Sequence, residues 1–205
     1  MSEFTPTRSA VIGLKEERRA MQEGYVFLDE KCLLLAAAML RELRRYEQAG
    51  IALRALLAEA GTALAASVRR HGLQELQCHT APGSDPRSGP LVLQTQQRSL
   101  MGVALVDATA TRGDLQVAEP VYPSPEVDAC REAFGALTVQ LATVAAMSGN
   151  LERLHREYRK SVRRVRALQD VLLPELDRDL YEIETQLDEL ERDEALGARW
   201  GRRGI

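Results

Sequence analysis

Aromatic side chains are scarce: one tryptophan, three phenylalanines and five tyrosines make up 4% of 205 residues. That is too little ring volume for the core of an ordinary globule of this length, so Leu, Val and Ala on long helices must supply the packing. Cysteine is equally sparse. Cys32, Cys78 and Cys130 are odd in number and widely scattered, which argues against a disulfide framework and fits a reducing compartment. Long apolar runs are missing too. The longest, residues 33–40, has eight residues, against about 20 needed to cross a bilayer. The first ten residues lack the apolar core of a signal peptide. These absences lead to the expectation of a cytoplasmic chain with no direct membrane insertion. With 27 basic and 30 acidic residues the net charge is −3, and the strong positive excess that marks nucleic-acid binders is absent. No phosphate-cradling Gly-rich loop, G-x-S-x-G, H-E-x-x-H or paired C-x-x-C occurs. No nucleophile, base and orienting group can be nominated together, so the expectation is a non-catalytic chain without a cofactor or metal.

What the chain does have is heptad order. Val11, Leu14, Met21, Tyr25, Leu28, Cys32, Leu35 and Met39 alternate spacings of three and four, with Arg18 the one polar seam position. Thr5-Pro6-Thr7 offers a hydroxyl cap followed by proline at the first helical position. The stripe continues less cleanly through Leu43, Tyr46, Leu53, Leu57, Leu64 and Val68 and is expected to end near Gly72. A second stripe begins after Pro123-Ser124-Pro125 and includes Val127, Cys130, Phe134, Leu137, Leu141, Val144, Leu151, Tyr158, Val162, Val165 and Leu172. Ser148, His155 and Gln169 fall in the same rows, as polar interruptions that can fix register. Beyond Leu172 the spacing becomes Leu176, Leu180, Ile183, Leu187 and Leu190, and the two consecutive fours form a stutter that unwinds the supercoil locally. Pro174 sits inside it, where a bend disrupts least.

Between the stripes, residues 78–89 read as a Pro/Gly/Ser-rich loop, and residues 91–122 turn β-like. Residues 100–106 and 115–121 are read as two strands joined by a turn at Thr111-Arg112-Gly113-Asp114. The fold expected is therefore mainly α: a long antiparallel two-helix coiled coil formed by the N- and C-terminal helices, with a small central head containing a β-hairpin. The divisions are 1–72, 73–125 and 126–205. Pairing between two chains would satisfy the same stripes.

Local charge alternates along the last helix. Seven bases and one acid lie between Arg153 and Arg166, then eleven acids and only Arg178 and Arg192 as bases from Asp170 to Glu194. The basic cluster could meet a partner's acids, water or nucleic acid. His71, Cys78 and His79 are the only metal-like grouping, and they lack a fourth ligand and the usual spacing. Cys32 and Cys130, on apolar seams, read as small core residues.

Several segments carry a likeness. Pro6-Thr7-Arg8-Ser9, Leu14-Lys15, and Gly24 with Leu28 and Lys31 resemble the N-terminal signature of the D subunit, the central rotor shaft of V/A-type rotary ATPases. Met101-Gly102-Val103 is similar to the family's central M-G-V. Residues 163–174, running Arg-Arg-Val-Arg-Ala-Leu-Gln-Asp-Val-Leu-Leu-Pro, resemble its R-R-V-N-A-L-E-x-V-x-I-P, down to the helix-interior Pro174. The chain departs from the family pattern in Asp29-Glu30-Lys31-Cys32, where relatives are strongly basic, and in Arg166, where they usually carry Asn.

The resemblance implies a shaft that hydrolyses nothing itself. Its paired helices would enter a hexamer of A and B subunits, and its head would meet the rotor's F subunit and the membrane-ring adaptor of the C/d type. It further implies a peripheral position on the inner face of the cell membrane. Arg8, Lys15, Lys31, Met101, Gly102, Val103, Arg163, Arg164, Arg166 and Pro174 are the partner-contact candidates, with no nucleic acid among the partners. A free-standing coiled-coil scaffold would share the periodicity without needing the ordered motifs or the β head. An Arg-rich nucleic-acid-binding hairpin would require strongly salt-dependent binding to DNA or RNA.

Overall fold

The computed structural model describes residues 6–76, 92–111 and 123–201. The elements are helix α1 (Arg8–Leu76), strands β1 (Val92–Leu100) and β2 (Val103–Thr111), helix α2 (Pro125–Ala167), a π-helical turn (Leu168–Leu172) and helix α3 (Leu173–Gly201). This is the expected class, two long helical stretches with a two-stranded antiparallel sheet between them in sequence. Contacts divide the chain into two units. One comprises Met1–Leu34 with Tyr158–Ile205, the other Leu35–Glu157.

In the first unit the chain pairs with itself. Val11 and Leu14 of α1 pack with Leu176, Leu180 and Ile183 of α3, and Met21 and Leu187 lie against this cluster. The cap of α1 is Thr7 rather than the more N-terminal hydroxyl expected: its Oγ1 accepts from the Ala10 amide at 3.2 Å, and its carbonyl from Ala10 and Val11. Thr5 lies outside the described residues. Before Pro174 the Leu173 amide reaches back to the Leu168 carbonyl, five residues away. The unwinding expected from the stutter therefore takes the form of one wide turn. Leu172 and Leu190 are exposed, against the stripe reading, and the seam resumes at Leu176.

In the second unit α1 and α2 run antiparallel, and the hairpin packs on them. The Gln140 amide donates to the Ala49 carbonyl, and Ser67 Oγ to the Glu126 carbonyl at 2.8 Å. Ser124 caps α2 ahead of Pro125, its hydroxyl accepting from the Val127 amide. Gly72 interrupts α1 with φ 74° and ψ 162°.

The hairpin differs from the expected one. Strand β2 pairs with the segment before it, in the register Leu100↔Val103 through Val92↔Thr111. The turn is Met101-Gly102, both at positive φ (50° and 81°). That geometry suits a two-residue hairpin, whose twist matches the flanking strands. Residues 100–106, read as one strand, contain this turn; Thr111, read as the start of a turn, is the last residue of β2, and the rest of that turn and the second strand at 115–121 lie outside the described residues. Alternation had no way to reveal β1, because Val92–Leu100 is almost wholly exposed and polar.

The seam rows also shift. Beyond Met39 the buried positions of α1 include Glu42, Ala60 and Ser67, while Leu43, Leu57 and Leu64 are exposed. On the partner helices Leu154 and Ser161 are buried, whereas His155 and Gln169 are exposed and so are not register devices in the seam. Leu141 likewise points outward. Small side chains permit close backbone approach where a leucine would hold the helices apart.

Candidate partner-contact surfaces

Three ion pairs flank the apolar cluster of the first unit. Arg8 meets Glu191 at 2.6 Å, Lys15 meets Glu184 at 2.7 Å and Arg18 meets Asp177 at 2.5 Å. All are exposed, so water and salt screen them and their contribution to stability is small; their main effect is on register. The hydrogen bond to Glu191, then that carboxylate's charge, hold the Arg8 guanidinium still more firmly protonated. Arg8 and Lys15 are therefore already engaged within the chain. Lys31 is half-buried and also has an intramolecular partner.

Arg159, Lys160, Arg163, Arg164 and Arg166 form a different surface. All five are exposed, and none has a carboxylate partner among the described residues. On a helix they occupy the arc opposite buried Ser161 and Val165. On α1 of the same unit, Val26, Phe27, Leu33 and Leu34 are each between 47% and 66% exposed. Apolar exposure of this extent marks a surface that something else covers. By length and composition both long helical stretches contain a window apolar enough to span a membrane, only 11% of each being buried. Pro174 is half-buried beside the π turn, in which Val171 and Leu172 are exposed.

Met101, Gly102 and Val103 are brought together by the hairpin but do different things. Met101 and Gly102 form the exposed tip, and Val103 is buried at 7%. Behind the hairpin lies a polar centre absent from the sequence reading. Asn150, fully buried, gives Nδ2 hydrogen bonds to the Val106 carbonyl and to Glu42 Oε1, and its Oδ1 accepts from the Val106 amide and Arg153. Glu42, 4% exposed, also faces Arg98 at 3.5 Å, which in turn bonds Asp107. The available signal was Ser148-Gly149-Asn150, a polar break in an otherwise apolar helix face.

A second polar group joins α1 to the start of α2: Arg70 to Glu126 at 2.7 Å, His71 Nε2 to Ser124 Oγ at 2.7 Å, and Ser124 to Glu126. The Glu126 carboxyl is held below its ordinary range, chiefly by its own backbone amide, with the Arg70 charge and hydrogen bonds from Ser124 and Arg70 adding to it. His71 thus serves the cap; Cys78 and His79 lie outside the described residues. Among the described residues no group of three or more His, Cys, Asp or Glu could hold a metal.

Comparison with known proteins gives the same family throughout. The chain is 23% identical over 190 residues to the V-type ATP synthase D subunit of Thermotoga neapolitana, covering 92% of each chain. It is 28% identical over 203 residues to the A-type ATP synthase D subunit of Pyrococcus furiosus, covering 92% of this chain and 88% of that one. The V-type ATP synthase D subunit of Thermus thermophilus is 28% identical over 195 residues, with 95% and 85% covered. A family model described as the ATP synthase D subunit matches residues 10–199, and the chain belongs to that family.

Proposed function

We propose that this chain is the central stalk of a V/A-type rotary ATPase, a non-catalytic shaft that couples ATP hydrolysis or synthesis in an A/B hexamer to ion translocation. The observation that carries this reading is the pairing of α1 with α3 inside one chain, through Val11, Leu14, Leu176, Leu180 and Ile183, in a member of the ATP synthase family just described. A shaft has to transmit torque, and two packed helices resist bending and untwisting better than one. Its angle matters because ATP binding and release in the hexamer favour particular orientations through differential contact free energy.

Arg163, Arg164 and Arg166, which have no carboxylate partner among the described residues, face carboxylates of the surrounding hexamer in this reading. Exposed charges attract without the deep apolar burial that would lock a bearing. The head, residues 73–125 with its Met101-Gly102-Val103 turn, meets the rotor's F subunit and the C/d-type membrane-ring adaptor. The chain then sits at the inner face of the membrane, held there by the complex. Arg8, Lys15, Lys31 and Pro174 act as contacts where the shaft enters its partners.

Co-expression and purification test the proposal. One copy of this chain should copurify with an A/B hexamer and the F subunit. Recovery as a free homodimer or on nucleic acid would overturn it. Reversing the charge of Arg163, Arg164 and Arg166 together should leave hydrolysis running while ion pumping falls; intact coupling would remove these residues from the contact.

A further inference from the structure

The two edges of the hairpin are not equivalent. Leu100 and Val103 close a two-residue turn as a hydrogen-bonded pair, so Arg98, Gln96, Gln94 and Val92 turn their backbone groups toward β2. Those of Ser99, Gln97, Thr95 and Leu93 turn away. On β2 the outward groups of Val106 and the carbonyl of Ala108 are taken up by Asn150 and Thr143 of α2. On β1 no described residue takes them up, and every residue except Leu100 is exposed. Natural edges are usually blunted by lysine, proline or a bulge. This strand has none, and its single charge, Arg98, is drawn to Asp107 and Glu42.

One residue of this strand, Leu93, lines a slot of about 250 Å³ whose other walls are Val106 and Ala108 of β2 and Ala146, Gly149 and Arg153 of α2. The slot is open and mostly apolar, with room for a large apolar side chain. Leu93 is 55% exposed beside it. Arg153 donates to Asn150 but has no carboxylate partner among the described residues.

We propose that β1 accepts an added β-strand from a partner protein, through a segment that carries an apolar side chain for the slot and a carboxylate for Arg153. Main-chain bonds to Leu93, Thr95, Gln97 and Ser99 supply affinity, and the slot and the guanidinium supply selectivity. The inference rests on the functional reading above for where that partner is found, among the other subunits of the rotary complex.

Residue-resolved hydrogen exchange on the full chain, free and in the assembled complex, tests it. The amides of Leu93, Thr95, Gln97 and Ser99 should slow at least about tenfold on assembly, while those of Gln94, Gln96 and Arg98 are already protected in the free chain. Gln97→Pro removes an outward amide without touching a ladder bond and should weaken assembly, as should Arg153→Glu. Retained inward protection in the free variants separates this from misfolding. A complex that forms with the four amides unprotected, or forms normally with both variants, overturns the inference and leaves the shaft reading standing. Protection in the free chain that rises with its own concentration also overturns it, since the occupant is then a second copy. Absence of any complex with the ATPase subunits removes both.

Discussion

Asn150 grips Val106 by both polar ends of its peptide backbone. Its Oδ1 accepts from the Val106 amide at 2.8 Å, and its Nδ2 donates to the Val106 carbonyl at 2.9 Å. A side-chain amide here takes the place of a third strand. The remaining capacity of the group goes to Glu42 and Arg153, so all of its hydrogen-bonding positions are used.

Asn150→Ala should therefore cost about 2–4 kcal/mol, because it strands an amide, a carbonyl and a buried carboxylate at once. Urea unfolding measures this. Asn150→Asp should be at least as damaging, since it replaces the donor to Glu42 by a second carboxylate oxygen. A loss below about 0.5 kcal/mol would mean that water replaces the side chain without penalty.

Leu35 and Leu154 are 0% and 1% exposed. Each truncated to alanine should lose about 2–5 kcal/mol. Leu43→Ala and Leu57→Ala, the more conspicuous hydrophobes, should change the stability of the isolated chain little, because both already face solvent.

The π turn predicts an asymmetry between two deletions. Removing Asp170 should convert Leu168–Leu172 to ordinary α-helix, keep α3 in phase and leave the thermal midpoint nearly unchanged. Removing Lys160, within regular helix, should rotate the stretch between it and the π turn by about 100°. That would take buried Ser161 and Val165 off the seam. Circular dichroism melts of the two variants should differ sharply.

Glu126 gives a pH test. Its folded-state pKa lies below the ordinary carboxylate range, so its contribution is present above the unfolded value and is lost as pH falls through the folded one. At neutral pH Glu126→Gln should melt lower than wild type. The difference should close only in acid, below the usual carboxylate pKa.

Burial, with the nearby Asp29 charge adding and Lys31 opposing, raises the Cys32 thiol pKa. The raised pKa and the burial both slow alkylation, so Cys32 should react with iodoacetamide more slowly than the more accessible Cys130. Mass spectrometry of a chain retaining only these two cysteines reads the order directly.

The heptads were legible through most of the first unit, where bulky apolar residues do the packing, though fully buried Leu154 on α2 was missed. Val11, Leu14, Cys32, Leu35, Leu176, Leu180 and Ile183 were all named from spacing and are all buried. The reading failed where the seam is built from Ala60, Ser67 and Ser161. Hydrophobicity ranks these below the exposed leucines one or a few positions away, yet close approach selects them for size. Strand β1 was missed for a related reason: Gln94, Thr95, Gln96 and Gln97 carry no alternation, and only the Met101-Gly102 turn holds them in register. The basic cluster was legible as a run of charge, but the ion pairs within the chain were not. That Arg8 and Lys15 are tied to Glu191 and Glu184 while Arg163, Arg164 and Arg166 are not depends on three-dimensional neighbours.

The ridge of Val26, Phe27, Leu33 and Leu34 has a bearing on supply as well as on assembly. Where partner subunits cover that ridge, a copy synthesised in excess keeps it wet, and such surfaces recruit chaperones and proteases or drive aggregation. Surplus copies should then be cleared faster than assembled ones.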